Sequence, residues 1–204
     1  KKKEDLPKDS LGIYSFATRK TEKVAEVKSY SLPQKSGGWL AYQLEVKKEE
    51  KPKSPDKKEK SDSTKKSAPV KSKKIKKNSD DNGYTLVLRK LSDKSETPFG
   101  YVKEYVFAKF GQGLLFSSTG NDSSMKAGVY WYDLQTEKLQ SLYEGKSKYK
   151  MKGLSVSEDG SQTAFLVDTD TTKAPIHHFE LYYWKKGEST AKVLDAEHSM
   201  ALPT

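Results

Sequence analysis

The chain of 204 residues has no cysteine, only two arginines and no long apolar run. Without cysteine, neither disulfide bonds nor thiolate metal sites can stabilise the fold. No segment approaches the ~20 apolar residues that span a bilayer, and residues 1–10 lack the apolar core of a signal peptide. The hydrophobic fraction is only 33%, although 12 Tyr, 7 Phe and 3 Trp are available for a core. A polar segment therefore dilutes a sequence that can otherwise fold.

The diluting segment runs from Lys47 to Asn78 and holds 14 lysines and 5 acidic residues, a net charge of +9 out of +10 for the chain. High charge with little apolar surface predicts a disordered insert, which we place at 47–82. The rest of the chain is nearly neutral, so its basic pI does not predict a nucleic-acid surface. Because bidentate recognition requires arginine, we expect no specific nucleic-acid partner. Binding of an anionic polymer by the lysines alone stays an alternative.

One phrase occurs three times, at 27–42, 102–116 and 151–165. In each copy apolar residues recur at every second position, a glycine-containing turn follows, and apolar residues resume. This pattern predicts a β-hairpin, because hairpin turns need the positive φ that glycine adopts at little cost.

A second phrase, with an aromatic or β-branched strand, a polar turn and a shorter strand, begins at Thr85, Gly128 and Phe179 and has a partial copy at 11–27. Two hairpins give four strands per repeat. The first phrases of the last two repeats start 49 residues apart, and removing the insert brings the earlier spacing to about 40, the length of a propeller blade.

The sequence therefore predicts an all-β fold, a β-propeller fragment of roughly three four-stranded blades. We expect blade strands at about 9–46 and 83–198, with the insert 47–82 between the second and third strands of one blade. This interpretation requires successive stretches to form separate sheets that pack side by side; a β-sandwich is the alternative. The absence of an initiator Met and an end just after a strand-like unit indicate an excised fragment with open sheet edges.

At four places the sequence resembles the amino-terminal propellers of prolyl oligopeptidase family serine peptidases, particularly bacterial envelope members. The segments are 27–30 (VKSY), 37–45 (GGWLAYQLE, directly before the lysine tract), 86–89 (LVLR) and 128–134 (GVYWYDL). The resemblance implies a separate C-terminal α/β-hydrolase domain as partner, peptide substrates, a gating role for the propeller, and a periplasmic or envelope location. A stand-alone propeller that binds other proteins is the alternative.

The chain has no G-x-S-x-G element, and we assign no catalytic, cofactor-binding or metal-binding residue. We interpret His177, His178 and His198 as ordinary loop and strand-start residues. The segment 168–170 (Asp-Thr-Asp) lacks the glycine and glutamate of a calcium loop and predicts a polar turn.

Two further groups of residues invite a functional interpretation. Glu45, Glu49 and Glu50 could pair as carboxylates for acid-base catalysis, but their place at the edge of the lysine tract predicts solvation. The aromatic runs 130–132 and 182–184 predict core packing between blades, with a stacking platform for sugars or single-stranded bases as the alternative.

Overall fold

The computed structural model describes residues 9–45, 79–120, 125–172 and 177–195. Within these ranges there are only antiparallel strands and no helix, so none of them provides a helix able to cross a membrane. The strands are β1 (Ser10–Ser15), β2 (Lys20–Ala25), β3 (Val27–Ser31), β4 (Trp39–Leu44), β5 (Tyr84–Lys90), β6 (Glu96–Phe107), β7 (Gly113–Ser118), β8 (Gly128–Asp133), β9 (Lys138–Glu144), β10 (Lys150–Val156), β11 (Gln162–Asp168), β12 (Glu180–Lys185) and β13 (Lys192–Asp195). The all-β prediction is confirmed.

The predicted insert lies largely outside the described residues. Its last residues, 79–82, form a turn that a bridge between Ser79 and Gly83 closes. This turn leads into β5, and β4 ends at Leu44, so the lysine tract connects two neighbouring antiparallel strands.

The three copies of the first phrase form the hairpins β3–β4, β6–β7 and β10–β11. Gly111 and Gly160 in their turns have φ of 73° and 68°, in the left-handed region where a side chain is strained. A side chain at Gly111 would also collide with Ser36 of the preceding hairpin. The glycines therefore serve both the turn conformation and the close approach of successive turns.

Hydrogen bonding links the strands in the orders β1-β2, β3 to β9, and β10 to β13. The seven-stranded ladder corrects our expectation that every repeat forms a separate sheet. It arises because β6 is shared: its residues 96–102 pair with β5, whereas residues 102–107 pair with β7. Tyr101, with φ of 57°, lies at the corner between the two halves. One chain segment is thus the last strand of one sheet and the first strand of the next.

The strands group into an N-terminal hairpin and three units. The N-terminal hairpin is β1 and β2. The first unit is β3, β4, β5 and residues 96–102 of β6; the second unit is residues 102–107 of β6 with β7, β8 and β9; the third unit is β10 to β13.

Consecutive units pack face to face through apolar layers. Between the first and second units, Phe99 lies 4.7 Å from Phe116 and 5.5 Å from Tyr132, measured between ring centroids. Between the second and third units, Trp131 lies 5.9 Å from Trp184. The N-terminal hairpin packs on the first unit in the same way, through a cluster of Leu11, Ile13, Val24, Val27, Leu40, Tyr42, Leu44 and Val87. Each interface removes large apolar side chains from water, which is the main stabilising contribution.

Strand alternation explains how the second unit serves two interfaces. Leu114 and Phe116 belong to the layer shared with the first unit, and the intervening Leu115 belongs to the layer shared with the third. Because successive side chains of a strand point to opposite faces, a strand in a sheet covered on both sides is buried at every position. All six residues of β7 are accordingly buried.

Backbone hydrogen bonds join the hairpin turns of neighbouring units at equivalent positions. The Lys35 N–H donates to the Lys109 carbonyl at 2.8 Å, and the Phe110 N–H donates to the Glu158 carbonyl at 3.2 Å. The first strands of the second and third units, β6 and β10, also contact each other. Stacked four-stranded sheets whose first strands lie side by side are the arrangement of propeller blades. The described residues thus form an all-β propeller fragment.

Candidate functional site

The third unit contains a buried charged cluster that joins three strand ends. Asp168, the last residue of β11, is fully buried, and its Oδ2 lies 2.9 Å from His177 Nδ1. Lys150, the first residue of β10, places its Nζ 3.8 Å from the same oxygen and 2.6 Å from His177 Nε2. An antiparallel unit brings these residues together because β10 begins where β11 ends and where β12 begins.

One nitrogen of His177 faces each charged partner. The Lys150 ammonium can only donate, so Nε2 accepts in that contact, while Nδ1 lies 2.9 Å from Asp168 Oδ2 without the geometry of a hydrogen bond. The other carboxylate oxygen, Oδ1, accepts the Asp170 N–H at 2.8 Å. Both ring nitrogens of His177 face charged groups of this cluster, which joins the ends of β10 and β11 to the segment before β12.

The segment 168–170 behaves as a turn. Asp170 accepts the backbone N–H of Thr172 at 2.7 Å and its hydroxyl at 2.9 Å, and these hydrogen bonds lower the pKa of Asp170. In the described ranges, no group of three or more His, Asp or Glu side chains is arranged to hold a metal ion. The choice of a polar turn over a calcium loop stays a prediction.

A cleft of about 480 Å³ lies at the same end of the third unit. Its lining is Lys146, Ser147, Lys148, Tyr149, Thr169 and Thr171. These side chains come from the β9–β10 and β11–β12 connections, which flank the buried Asp168 cluster. Ammonium and hydroxyl groups donate hydrogen bonds, so the cleft suits the carbonyl or carboxylate oxygens of a ligand.

The remaining sequence candidates are two histidines and three glutamates. His178 directly follows His177, ahead of β12, and His198 lies outside the described residues. Glu45 follows β4, and its N–H donates to the Glu26 carbonyl at 2.8 Å. Glu49 and Glu50 lie outside the described residues, so the solvation of the three glutamates stays a prediction.

The aromatic runs form core. Tyr130, Trp131 and Tyr132 are all buried, and burial raises the pKa of Tyr130 to about 12. Trp184 is buried as well, whereas Tyr182 and Tyr183 are half-buried. Rings packed between sheets cannot stack on a ligand, so the interpretation as core is correct for the buried members.

A second charged cluster fastens the N-terminal hairpin to the first unit. The Arg89 side chain is only 5% exposed and binds Glu22 of β2 at 2.7 Å and Glu96 at 3.2 Å. Hydrogen bonds from Arg89 and Lys94 lower the pKa of Glu22. Tyr42 completes the cluster by donating its hydroxyl to Glu96 at 2.7 Å.

Sequence analysis missed both charged clusters. Lys150 lies 18 positions before Asp168, and Glu22 lies 67 positions before Arg89, so nothing local in the sequence marks these residues as partners. The available signal was Asp168 at the end of an apolar strand, since a charge at a buried position requires a partner.

No family model and no curated protein matches the chain. Among solved structures it is similar to Pyrococcus horikoshii acylaminoacyl peptidase (13% identity, TM-score 0.44, 81% of this chain and 24% of that one). It is also similar to the β-propeller domain of the Trilobed protease from Pyrococcus furiosus (11%, 0.45, 92% and 49%). A third structure is TolB from Acinetobacter baumannii (11%, 0.41, 91% and 37%).

The first of these proteins is a peptidase and the second a protease. The chain spans less than half the length of each of the three. With TM-scores below 0.5, the description of the fold rests on the strand pairing and packing of this chain alone.

Proposed function

We propose that this chain is the non-catalytic propeller portion of a serine peptidase similar to the prolyl oligopeptidase family. In this proposal it docks on a C-terminal α/β-hydrolase domain and gates the access of peptides to it. The observation that carries the proposal is the stack of four-stranded units with adjoining first strands, combined with a histidine whose two nitrogens face Asp168 and Lys150. In this proposal the fragment lines the access path and offers hydrogen-bond donors to the peptide, and the groups that cleave the peptide belong to another domain.

The cleft of the third unit supplies hydrogen-bond donors for a peptide in this role. Lys146 and Lys148 offer ammonium groups, and Thr169 and Thr171 offer hydroxyls, beside the first strand of the unit. A peptide passing along the first strands would meet donors for its carbonyl oxygens or its terminal carboxylate. The proposal keeps the predicted insert only up to residue 78, because 79–82 form the turn before β5. On the resemblance alone, it also includes a periplasmic or envelope location.

The test is to express the complete reading frame that contains this chain and to label it with a fluorophosphonate, which reacts with activated serines. We expect labelling outside these residues and cleavage of short peptides in preference to folded proteins. Lys146→Gln with Lys148→Gln should raise KM for a peptide with a free carboxylate more than for its amide, with kcat little changed. Lys138→Gln with Lys192→Gln provides a control of equal charge change away from the cleft.

Two outcomes would contradict the proposal. A reading frame without a hydrolase domain, or a complete protein without serine labelling, would favour a stand-alone interaction propeller. Equal effects of the cleft and control variants on both peptides would remove the cleft from the proposal.

A further inference from the structure

The first strands of the first and second units are each interrupted by a β-bulge at the same lysine of the repeated phrase. In β3 the pairing with β4 skips Lys28, and in β6 the pairing with β7 skips Lys103. A bulge re-aims the side chain of its extra residue, and bulges are common beside functional sites. Both lysines are exposed, and a 2.9 Å hydrogen bond between the hydroxyls of Ser29 and Tyr105 joins the two bulged strands. Two neighbouring first strands therefore present an ammonium group at equivalent positions.

The Lys28 ammonium group contacts an aromatic ring and a carboxylate. Its Nζ lies 4.0 Å from the centroid of the Tyr84 ring and binds the carboxylate of Asp80. The Tyr84 hydroxyl donates to the same Asp80 oxygen at 3.0 Å. The hydrogen bond from Lys28 lowers the pKa of Asp80 most, the Tyr84 hydroxyl adds to this, and the charge of Lys103 contributes as well. The two bulge lysines thus act on one carboxylate.

An aromatic ring lies beside the repeated lysine in the first and third units but not in the second. By strand register, Phe179 of the third unit and Ala127 of the second are the equivalents of Tyr84. The centroid of the Phe179 ring lies 3.9 Å from the ammonium group of Lys152, the third lysine of the series. Alanine offers no ring at this position, so the charge of the second unit's lysine can act together with that of the first.

The turn before β5 fixes the backbone position of Asp80. The Thr119 hydroxyl donates to the Asn82 carbonyl. Gly83 has φ of 83°, and a side chain there would collide with the Tyr101 carbonyl, so the turn lies directly against the corner of β6. The Asp80 side chain itself is 84% exposed. Because exposed ion pairs contribute little to stability, a carboxylate from solution can replace that of Asp80 without disturbing the turn.

We propose that Lys28, Lys103 and Tyr84 form a carboxylate-binding site, which Asp80 fills in the free chain and which a peptide carboxylate occupies by displacing it. The two ammonium groups neutralise the bound carboxylate, and the Tyr84 hydroxyl donates a hydrogen bond to it. Asp80 is a competitor within the chain, so its removal strengthens binding. The site lies on the first and second units, apart from the cleft of the third unit.

Three short peptides test this site by nuclear magnetic resonance of the isotope-labelled chain. They are acetylated trialanine with a free carboxylate, its amide, and the amide with a glutamate at the central position. The backbone amide signals of Lys28, Lys103 and Tyr84 should shift with a carboxylate peptide and not with the uncharged amide, because the site binds negative charge. Shifts with either carboxylate peptide support the proposal, and which of the two binds identifies a terminal or a side-chain carboxylate as the ligand.

Matched variants separate this site from general charge attraction. Asp80→Asn should bind the carboxylate peptide about tenfold more tightly than the natural chain, because the internal competitor is removed. Asp81→Asn makes the same charge change at the exposed neighbouring residue and should change the affinity by less than about twofold. In the Asp80→Asn background, Lys103→Gln should weaken binding about fivefold or more, whereas Lys138→Gln, an exposed lysine of β9, should not. The spectra themselves show that each variant is folded.

Four results would overturn the proposal. No peptide shifts the signals of Asp80→Asn, or the amide binds as tightly as the free carboxylate. Alternatively, Asp80→Asn and Asp81→Asn bind equally, or Lys103→Gln has no larger effect than Lys138→Gln. No outcome involves a hydrolase domain or the cleft of the third unit, so this proposal and the proposed function can fail separately.

Discussion

The second and third units are built from the same strand order but differ in how many of their faces are covered. Trp131 of the second unit is 2% exposed, whereas the residue in its place in the third unit, Tyr183, is half-buried. Val129 is fully buried, whereas its equivalent Leu181 is half-buried. Both sets of residues are apolar and strand-forming. The difference therefore comes from the neighbour that covers the second unit and not from the strands themselves.

The largest expected difference between the two units is the loss of stability on truncating the equivalent residues Trp131 and Tyr183. Trp131→Ala should lower the free energy of unfolding by about 3–5 kcal/mol, because it removes a ring packed between two sheets. Tyr183→Ala should cost about 1 kcal/mol or less, because much of that ring faces solvent. Urea unfolding followed by circular dichroism measures both. Equal losses would show that the outer face of the third unit is as well packed as the inner one.

The second and third units also differ at the position of the buried Asp168, and the expected effect on stability is smaller. The second unit has neutral Thr119 at the position that Asp168 occupies in the third. His177→Ala should cost about 2 kcal/mol, because it leaves the buried Asp168 carboxylate with less compensation. Asp168→Asn in the same background should restore most of the loss, since a neutral amide is less costly to bury. Urea unfolding of the single and double variants tests this, and additive effects would contradict the coupling.

The smallest expected effect is on acid sensitivity. Hydrogen bonds from Ser157 and Ser161 lower the pKa of Asp159 to about 2 in the β10–β11 turn, whereas the β6–β7 turn contains no carboxylate. A lowered pKa stabilises the fold above the unfolded value, and this stabilisation is lost as the pH falls from about 4 towards about 2. The stability difference between the natural chain and Asp159→Asn should therefore shrink over that range in pH-dependent urea unfolding. A constant difference would contradict the prediction.

Much of the strand arrangement could be predicted locally. Alternating apolar residues and glycine turns located the hairpins β3–β4, β6–β7 and β10–β11, because a two-residue period and a positive φ are properties of a few consecutive residues. The shared strand could not be predicted in this way. At its corner Tyr101 adopts φ of 57° without glycine's freedom, and the contacts between two sheets hold it there.

The candidate site was predictable only in part. The turn at 168–170 was visible in the sequence, but its link to Lys150 and His177 depends on three strand ends that meet in space. The same limit applies to Arg89, which is paired with a glutamate 67 positions away. Partners of this kind become visible only when the pairing order of the strands is known.

By itself the sequence determined the strands, their turns and the confinement of charge to one tract, because each follows from side-chain size, polarity and backbone freedom over short distances. Only the tertiary structure decided that β6 serves two sheets, which apolar faces are covered and which charges meet. Those features depend on how whole sheets stack, and stacking free energy is shared among residues far apart in the chain.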